Sequence, residues 1–299
     1  MLQISRMSNI CAKRRSTMIF MNAEITSDLK QIESFVVSTD VIQSIPLFNQ
    51  GEEYEQASLT ERTQGEHLLS LVRTSDGSRI LDVGCGNGLL SLQLAKRFPI
   101  CSVDGIDISP SMIEVAQSHL DNNISHRVRF EVADLFDFAP DHHYDVVFSS
   151  SVMHWVLPPD QGYQCIFNVL KHGGQLAVHQ GGHGTYRGLH RCAFDVVEIM
   201  DLSSYFDDWT YPAYYPTREQ LMTLLKDVGF VNVKVESRET NGSEFPTLYT
   251  DFANAGLLPF LARIPESERD AFRSHFADHA IRTKADRYTH RLFATAVRT

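Results

Sequence analysis

From Asn22 to Ile45 apolar residues recur three and four positions apart (Ile25, Leu29, Ile32, Phe35, Val36), which predicts an amphipathic helix. The loop PLFNQGEEYEQAS leads into a second helix, expected over 59–73 and ended by TSDGS. Then the period changes. Strand-like runs (RILDVG, CSVDGIDI, RVRFEVA, YDVVFSS, GGQLAVHQ) alternate with helical segments near 88–97, 110–122 and 160–171. This alternation predicts an α/β fold, an open parallel sheet covered by helices on both faces. It pauses over 183–216, where the helical stretch LHRCAFDVVEIM precedes the aromatic loop SSYFDDWTYPAYYP. A helix from Thr217 and the strand FVNVKVES resume it, a helical insertion covers about 246–282, and HRLFATAVRT reads as a closing strand. The expected organisation is a disordered leader at 1–20, an N-terminal helical cap at 21–75 and an α/β core at 76–182. A helical and aromatic lid follows at 183–228, then the C-terminal part of the core at 229–299.

The strongest chemical signal is ILDVGCGNGLLSLQLA. A buried strand ends in Gly84-x-Gly86-x-Gly88 and passes at once into a helix, so backbone can approach a ligand and free N–H groups face it. Dinucleotide folds use a glycine loop too, but they want a small residue where this chain has Leu89. They also have no need of an acid before the first glycine, where this chain has Asp82; a carboxylate there suits an ammonium group rather than a pyrophosphate. Asp107, about 20 residues after the loop at the tip of the second strand, suits the two hydroxyls of a ribose. Asp134, at the end of the third, suits an adenine amino group. Acids at three strand tips around one glycine loop define a cleft at the switch point of the sheet.

Composition narrows the partners. A net charge of −10 argues against nucleic acid or an anionic membrane as the main partner. No apolar stretch approaches the length of a spanning helix. Five scattered cysteines (11, 85, 101, 165 and 192) read as reduced thiols of a cytoplasmic protein, with no metal site expected. The first twenty residues carry Lys13, Arg14 and Arg15 but lack the apolar core of a signal peptide.

The motifs DVGCGNG, GIDISPSMIEVA, ADL and LKHGGQL resemble the class I S-adenosylmethionine-dependent methyltransferases over roughly residues 55–299. SSSVMHWV after the fourth strand and the later FANAGLLPFLARIPESERDAF are most similar to a small-molecule branch. That branch holds the trans-aconitate, malonyl-carrier-protein and juvenile hormone acid methyltransferases. The resemblance implies a Rossmann-like seven-stranded sheet whose last strand is antiparallel, with S-adenosyl-L-methionine as cofactor. It implies that Asp82 and the loop Gly84, Cys85, Gly86 and Gly88 hold the methionine moiety and that Asp107 holds the ribose. By the same implication Ile108 and Met112 pack on the adenine, Asp134 and Leu135 contact its amino edge, and Ser149 lies near the cofactor's amino group. His172 stands where the family usually has proline.

The acceptor is less legible. The [DN]PP[YF] loop of nucleic-acid amino-methylating enzymes and the proline-cysteine pair of cytosine-5 enzymes are absent after the fourth strand, so a small molecule is expected. Oxygen of an organic acid or secondary metabolite is the leading acceptor. Nitrogen or carbon of a bulky apolar natural product is the rival, and a noncatalytic cofactor-binding regulator or partner subunit is a further alternative. His154 is the candidate catalytic residue, as proton acceptor or acceptor contact, because an imidazole takes a proton near neutral pH. Tyr54, Trp155, His183 and Tyr186 are candidate acceptor contacts. Arg187 and Arg191 offer charges for a carboxylate, or solvated helix positions. The helix at 22–45 is expected to close the acceptor site or to swap onto a neighbouring subunit as a homo-oligomer contact.

Overall fold

The computed structural model of the chain describes residues 59–242 and 248–299. The leader at 1–20, the helix expected at 22–45 and Tyr54 lie outside the described residues. The first half comprises α1 (Leu59–Leu71), β1 (Arg79–Val83), α2 (Leu89–Arg97), β2 (Ser102–Asp107), α3 (Pro110–Ser118), β3 (Val128–Val132), β4 (Tyr144–Ser150) and α4 (Pro159–Val169). The second half comprises β5 (Leu170–Gly181), α5 (Arg187–Ile199), α6 (Arg218–Val228), β6 (Phe230–Thr240), α7 (Leu248–Asp251), α8 (Leu258–Arg263), α9 (Glu266–Thr283) and β7 (Thr289–Arg298).

The strands form one seven-stranded sheet in the order β3-β2-β1-β4-β5-β7-β6. Neighbours from β3 to β5 run parallel, and β7 is antiparallel to both β5 and β6. The Rossmann-like α/β expectation holds, and the reversal between β1 and β4 creates the crevice where such sheets bind ligands. Burial on both faces explains the apolar strand runs. Leu68 and Leu69 of α1, Leu92 and Leu94 of α2 and Ile113 of α3 cover one face. Tyr163 and Ile166 of α4 with Leu221 and Leu225 of α6 cover the other.

Local chemistry sets the ends of these helices. Ser109 caps α3 by accepting the Met112 N–H, with Pro110 at the first helical position. Thr217 and Gln220 form a reciprocal capping box on α6, and Gly229 closes it in the left-handed region. The turn LKHGG belongs to β5, because Leu170 already pairs with Tyr144 before the ladder resumes at Val146 and Gln175.

Two expected boundaries change. Helix α6, which the sequence reading placed in the lid at 183–228, packs on the sheet because Leu221 and Leu225 face its core. The segment around α5 and the insertion near 246–282 instead share one separate core. Leu189, Val196, Phe252, Phe260, Phe272 and Phe276 are buried together there, so these helices form a core of their own apart from the two sheet faces. Among the described residues no helix is long and apolar enough to cross a membrane.

Candidate active site

β1 ends in Asp82 and Val83, and Gly84 turns the chain with φ +68°. The Gly84 and Cys85 N–H groups both donate to the Ile106 carbonyl, at 2.8 and 3.0 Å, which ties the glycine loop to the end of β2. A Cβ on Gly84 would stand 2.2 Å from Val152 Cγ2, so the loop leaving β4 closes over this glycine. Gly88 begins α2 with φ +77° and gives no side-chain cap, so the helix start keeps the polarity that attracts a carboxylate.

The three acids lie where the sequence put them, each in a different environment. Asp82 is buried to 2% exposure, and Ser91 Oγ donates to its Oδ2 at 2.5 Å. Burial raises its carboxyl to about 7, with the Ser91 bond opposing and Asp107 adding to the rise. A carboxylate held this way favours a cationic partner. Asp107 accepts the Gly86 N–H at 2.9 Å through Oδ2 and the Ser109 N–H at 2.9 Å through Oδ1. Burial raises its carboxyl, and those bonds pull the other way. Asp134 is partly exposed after β3 and accepts the Phe136 N–H at 2.9 Å.

The apolar candidates divide. Ile108 is 48% exposed at the tip of β2, an unusual place for isoleucine and a suitable face for a flat base. Met112 and Leu135 are buried, and Leu135 packs in the core with Val83 and Ile106. The Cys85 side chain is buried too, and that burial raises its thiol. Ser149 is fully buried and donates to the Val83 carbonyl at 2.9 Å, so its hydroxyl supports the strand beneath the loop.

The acceptor candidates gather where β4 and β5 end and β7 begins. His154 is buried against Trp155 (5.1 Å between ring centroids) and stacks on Tyr215 at 5.5 Å. Burial first, then the Arg291 charge, lowers its imidazole to about 3. His154 was expected as proton acceptor or acceptor contact; burial disfavours its charged form, and its Nδ1 is buried without a partner among the described residues. His179 is fully buried, stacked on Phe293 at 4.6 Å, with Nδ1 near the Ser150 and Ser151 hydroxyls at 3.2 and 3.3 Å. The Tyr186 hydroxyl accepts from Arg291, and its ring meets Phe252 at 5.4 Å. His183 is exposed, and its backbone N–H donates to the Pro216 carbonyl.

The aromatic loop performs two tasks. Phe206 and Trp209 pack on Phe260 within the helical layer. Tyr211 and Tyr215 turn toward the histidines, Tyr211 lying 4.3 Å from His190 and 5.8 Å from Trp155. Neither arginine singled out in the sequence reaches this cluster as a spare charge. Arg187 pairs with Asp286 at 3.0 Å and lies over the Tyr288 ring, and Arg191 is exposed. Arg291, which sequence reasoning missed, is the buried cation here. Its signal was a charge at the head of the apolar run LFATAV.

Residues 74–187 match a family model described as a methyltransferase domain. The chain is 36% identical over 107 residues to malonyl-[acyl-carrier protein] O-methyltransferase 1 of Ilyobacter polytropus, covering 36% of this chain and 39% of that protein. It is 34% identical over 119 residues to trans-aconitate 2-methyltransferase of an Enterobacter species, covering 40% and 45%. The chain thus spans less than half the length of either relative. Phosphoethanolamine N-methyltransferase 2 of Haemonchus contortus, solved with S-adenosyl-L-methionine, shares the fold at a TM-score of 0.58 and 22% identity, over 88% of this chain and 60% of that one. The glycine loop, the three strand-tip acids and this sheet order agree with that similarity, and residues 74–187 carry the methyltransferase domain.

Proposed function

We propose that the chain methylates an oxygen of a small organic acid, with S-adenosyl-L-methionine as donor. The residues present fit that cofactor. Asp82 offers a buried carboxylate in need of a cation, matching the ammonium of the methionine moiety. Asp107 retains lone pairs for ribose hydroxyls beside its two backbone bonds, and Ile108 offers an exposed apolar face for adenine. Asp134 is the acid assigned to the adenine amino group. When bound, the cofactor supplies a methyl carbon on a sulfonium sulfur, open to in-line displacement by an acceptor oxygen.

The enclosure of His154 carries the choice of acceptor: Trp155 and Tyr215 pack against its buried ring, which suits the imidazole poorly to gaining a charge. Burial lowers the imidazole to about 3, which makes it a weak base toward a phenol, amine or carbon acid. A carboxylate arrives already ionised and needs none taken. His154, Trp155 and Tyr215 then exclude water and orient the acid, and the neutral imidazole has an N–H to donate. The names of the two acid-methylating relatives agree.

Titration calorimetry with S-adenosylhomocysteine, followed by release of that product in the presence of aliphatic acids, tests this reading. Binding and acid-dependent release are expected. Binding without release from any acid would leave the rival of a noncatalytic cofactor-binding subunit. Release driven by amines or phenols would favour the N- or C-methylating rival.

A further inference from the structure

Arg291 sits near the start of β7, a central strand between β5 and β6, in register with Gly181 on one side and Arg238 on the other. Arg291 is only 7% exposed. Such a charge is normally held by a carboxylate, because an uncompensated buried ion costs several kcal/mol. Among the described residues Arg291 has no such partner. It donates to the Tyr186 hydroxyl, lies 4.7 Å from the centre of that ring, and leaves its Nε without an acceptor.

Its surroundings lack the same thing. A Cβ on Gly181 would stand 2.6 Å from the Tyr215 ring, and Tyr215 stacks on His154, so the arginine and the candidate catalytic histidine flank one tyrosine. His154 Nδ1 and His179 Nε2 are likewise buried and unpartnered. His179 lies on the same face of the sheet as Arg291, since Gly181 and His179 are two residues apart on β5. The Arg291 charge depresses both imidazoles, which places all three groups within electrostatic reach. A cation and two imidazoles, each with an unpartnered ring nitrogen, converge here, and among the described residues no carboxylate pairs with the cation.

We propose that Arg291 is the acceptor-recognising residue, its buried guanidinium pairing with a carboxylate of the acceptor where β5 ends and β7 begins. The inference rests on the acid-methylating reading and adds what selects the acid. It also gives a partner to a charge that the described residues leave without a carboxylate. A guanidinium suits this task because its fork of N–H groups matches the two oxygens of a carboxylate.

The test uses the full chain saturated with S-adenosylhomocysteine, titrated with straight-chain aliphatic mono- and dicarboxylates and with their primary amides. Wild-type protein is expected to bind at least one acid about 100-fold or more tightly than its amide, and Arg291→Met to lose that difference. Arg291→Lys should keep part of it. Affinity for S-adenosylhomocysteine should be the same in all three proteins, which reports that the variants fold. Preference for monocarboxylates would identify the held group as the one that reacts, and preference for dicarboxylates as its non-reacting neighbour. Acids bound equally by wild type and Arg291→Met, or acids and amides bound equally by wild type, would overturn the proposal. The wild-type comparison decides even if Arg291→Met does not fold. Because binding is read without turnover, failure of acid methylation and failure of this inference remain distinct.

Discussion

Asp107 Oδ2 accepts the Gly86 N–H at 2.9 Å, so the acid at the tip of β2 also fixes the glycine loop leaving β1. Asp107→Asn replaces one acceptor oxygen with a donor, leaving either the Gly86 or the Ser109 N–H unsatisfied. The expected loss is about 1–3 kcal/mol of stability, together with at least tenfold in cofactor affinity. Urea denaturation and calorimetry check both. Unchanged loop stability would separate the acid from the loop.

Asp82 is expected to make cofactor binding pH-dependent. Its folded carboxyl near 7 lies above the unfolded value of 3.8, so the folded state binds the extra proton between those limits. Its contribution to stability is therefore full below about pH 4 and lost as pH rises through about 7. Asp82→Asn lacks this loss, and without cofactor it should exceed wild type above pH 7 by on the order of 4 kcal/mol. Wild-type affinity for the cofactor should rise about tenfold per unit as pH climbs toward 7 and then level off, and the variant should show weak, flat binding. Calorimetry across that range reads both trends.

Gly84→Ala sets a side chain in the left-handed region and against Val152. The backbone term is about 1–2 kcal/mol and the overpacking about 1–3. Adding Val152→Ala should recover only the packing part, since φ is unchanged. Thermal or urea unfolding of wild type, Gly84→Ala and the double variant measures the split, and full recovery would mean that φ at Gly84 carries no cost.

His154→Ala should bind S-adenosylhomocysteine within about threefold of wild type while losing tenfold or more in turnover, because orientation is lost and basicity was never used. At saturating cofactor, wild-type kcat should stay flat between about pH 6 and 8, far above the His154 value of about 3. An ionisation near neutrality that vanishes in His154→Ala would restore the histidine as a base.

The parallel core was legible because burial on both faces leaves a plain signature, apolar strand runs punctuated by glycine. The acids 82, 107 and 134 were legible because strand tips at a switch point face the ligand in any such sheet. What the sequence hid depends on contacts between distant segments. Arg291 read as part of a terminal strand, where an arginine is ordinarily solvated; insertion of β7 between β5 and β6 buries it. His154 read as an ordinary imidazole until Trp155 and Tyr215 enclosed it. Helix α6 fell inside the lid range 183–228 although its pattern resumed the alternation, and Leu221 and Leu225 packing on the sheet place it with the core.

The most direct measurement of acid methylation uses S-adenosylmethionine labelled in the methyl group, with the purified chain and a panel of aliphatic acids. The product is then treated with mild alkali. A methyl ester releases its label as volatile methanol, and the account predicts that the transferred label is alkali-labile in this way. Label that survives alkali would show an N-, C- or ether-linked methyl group and would contradict it.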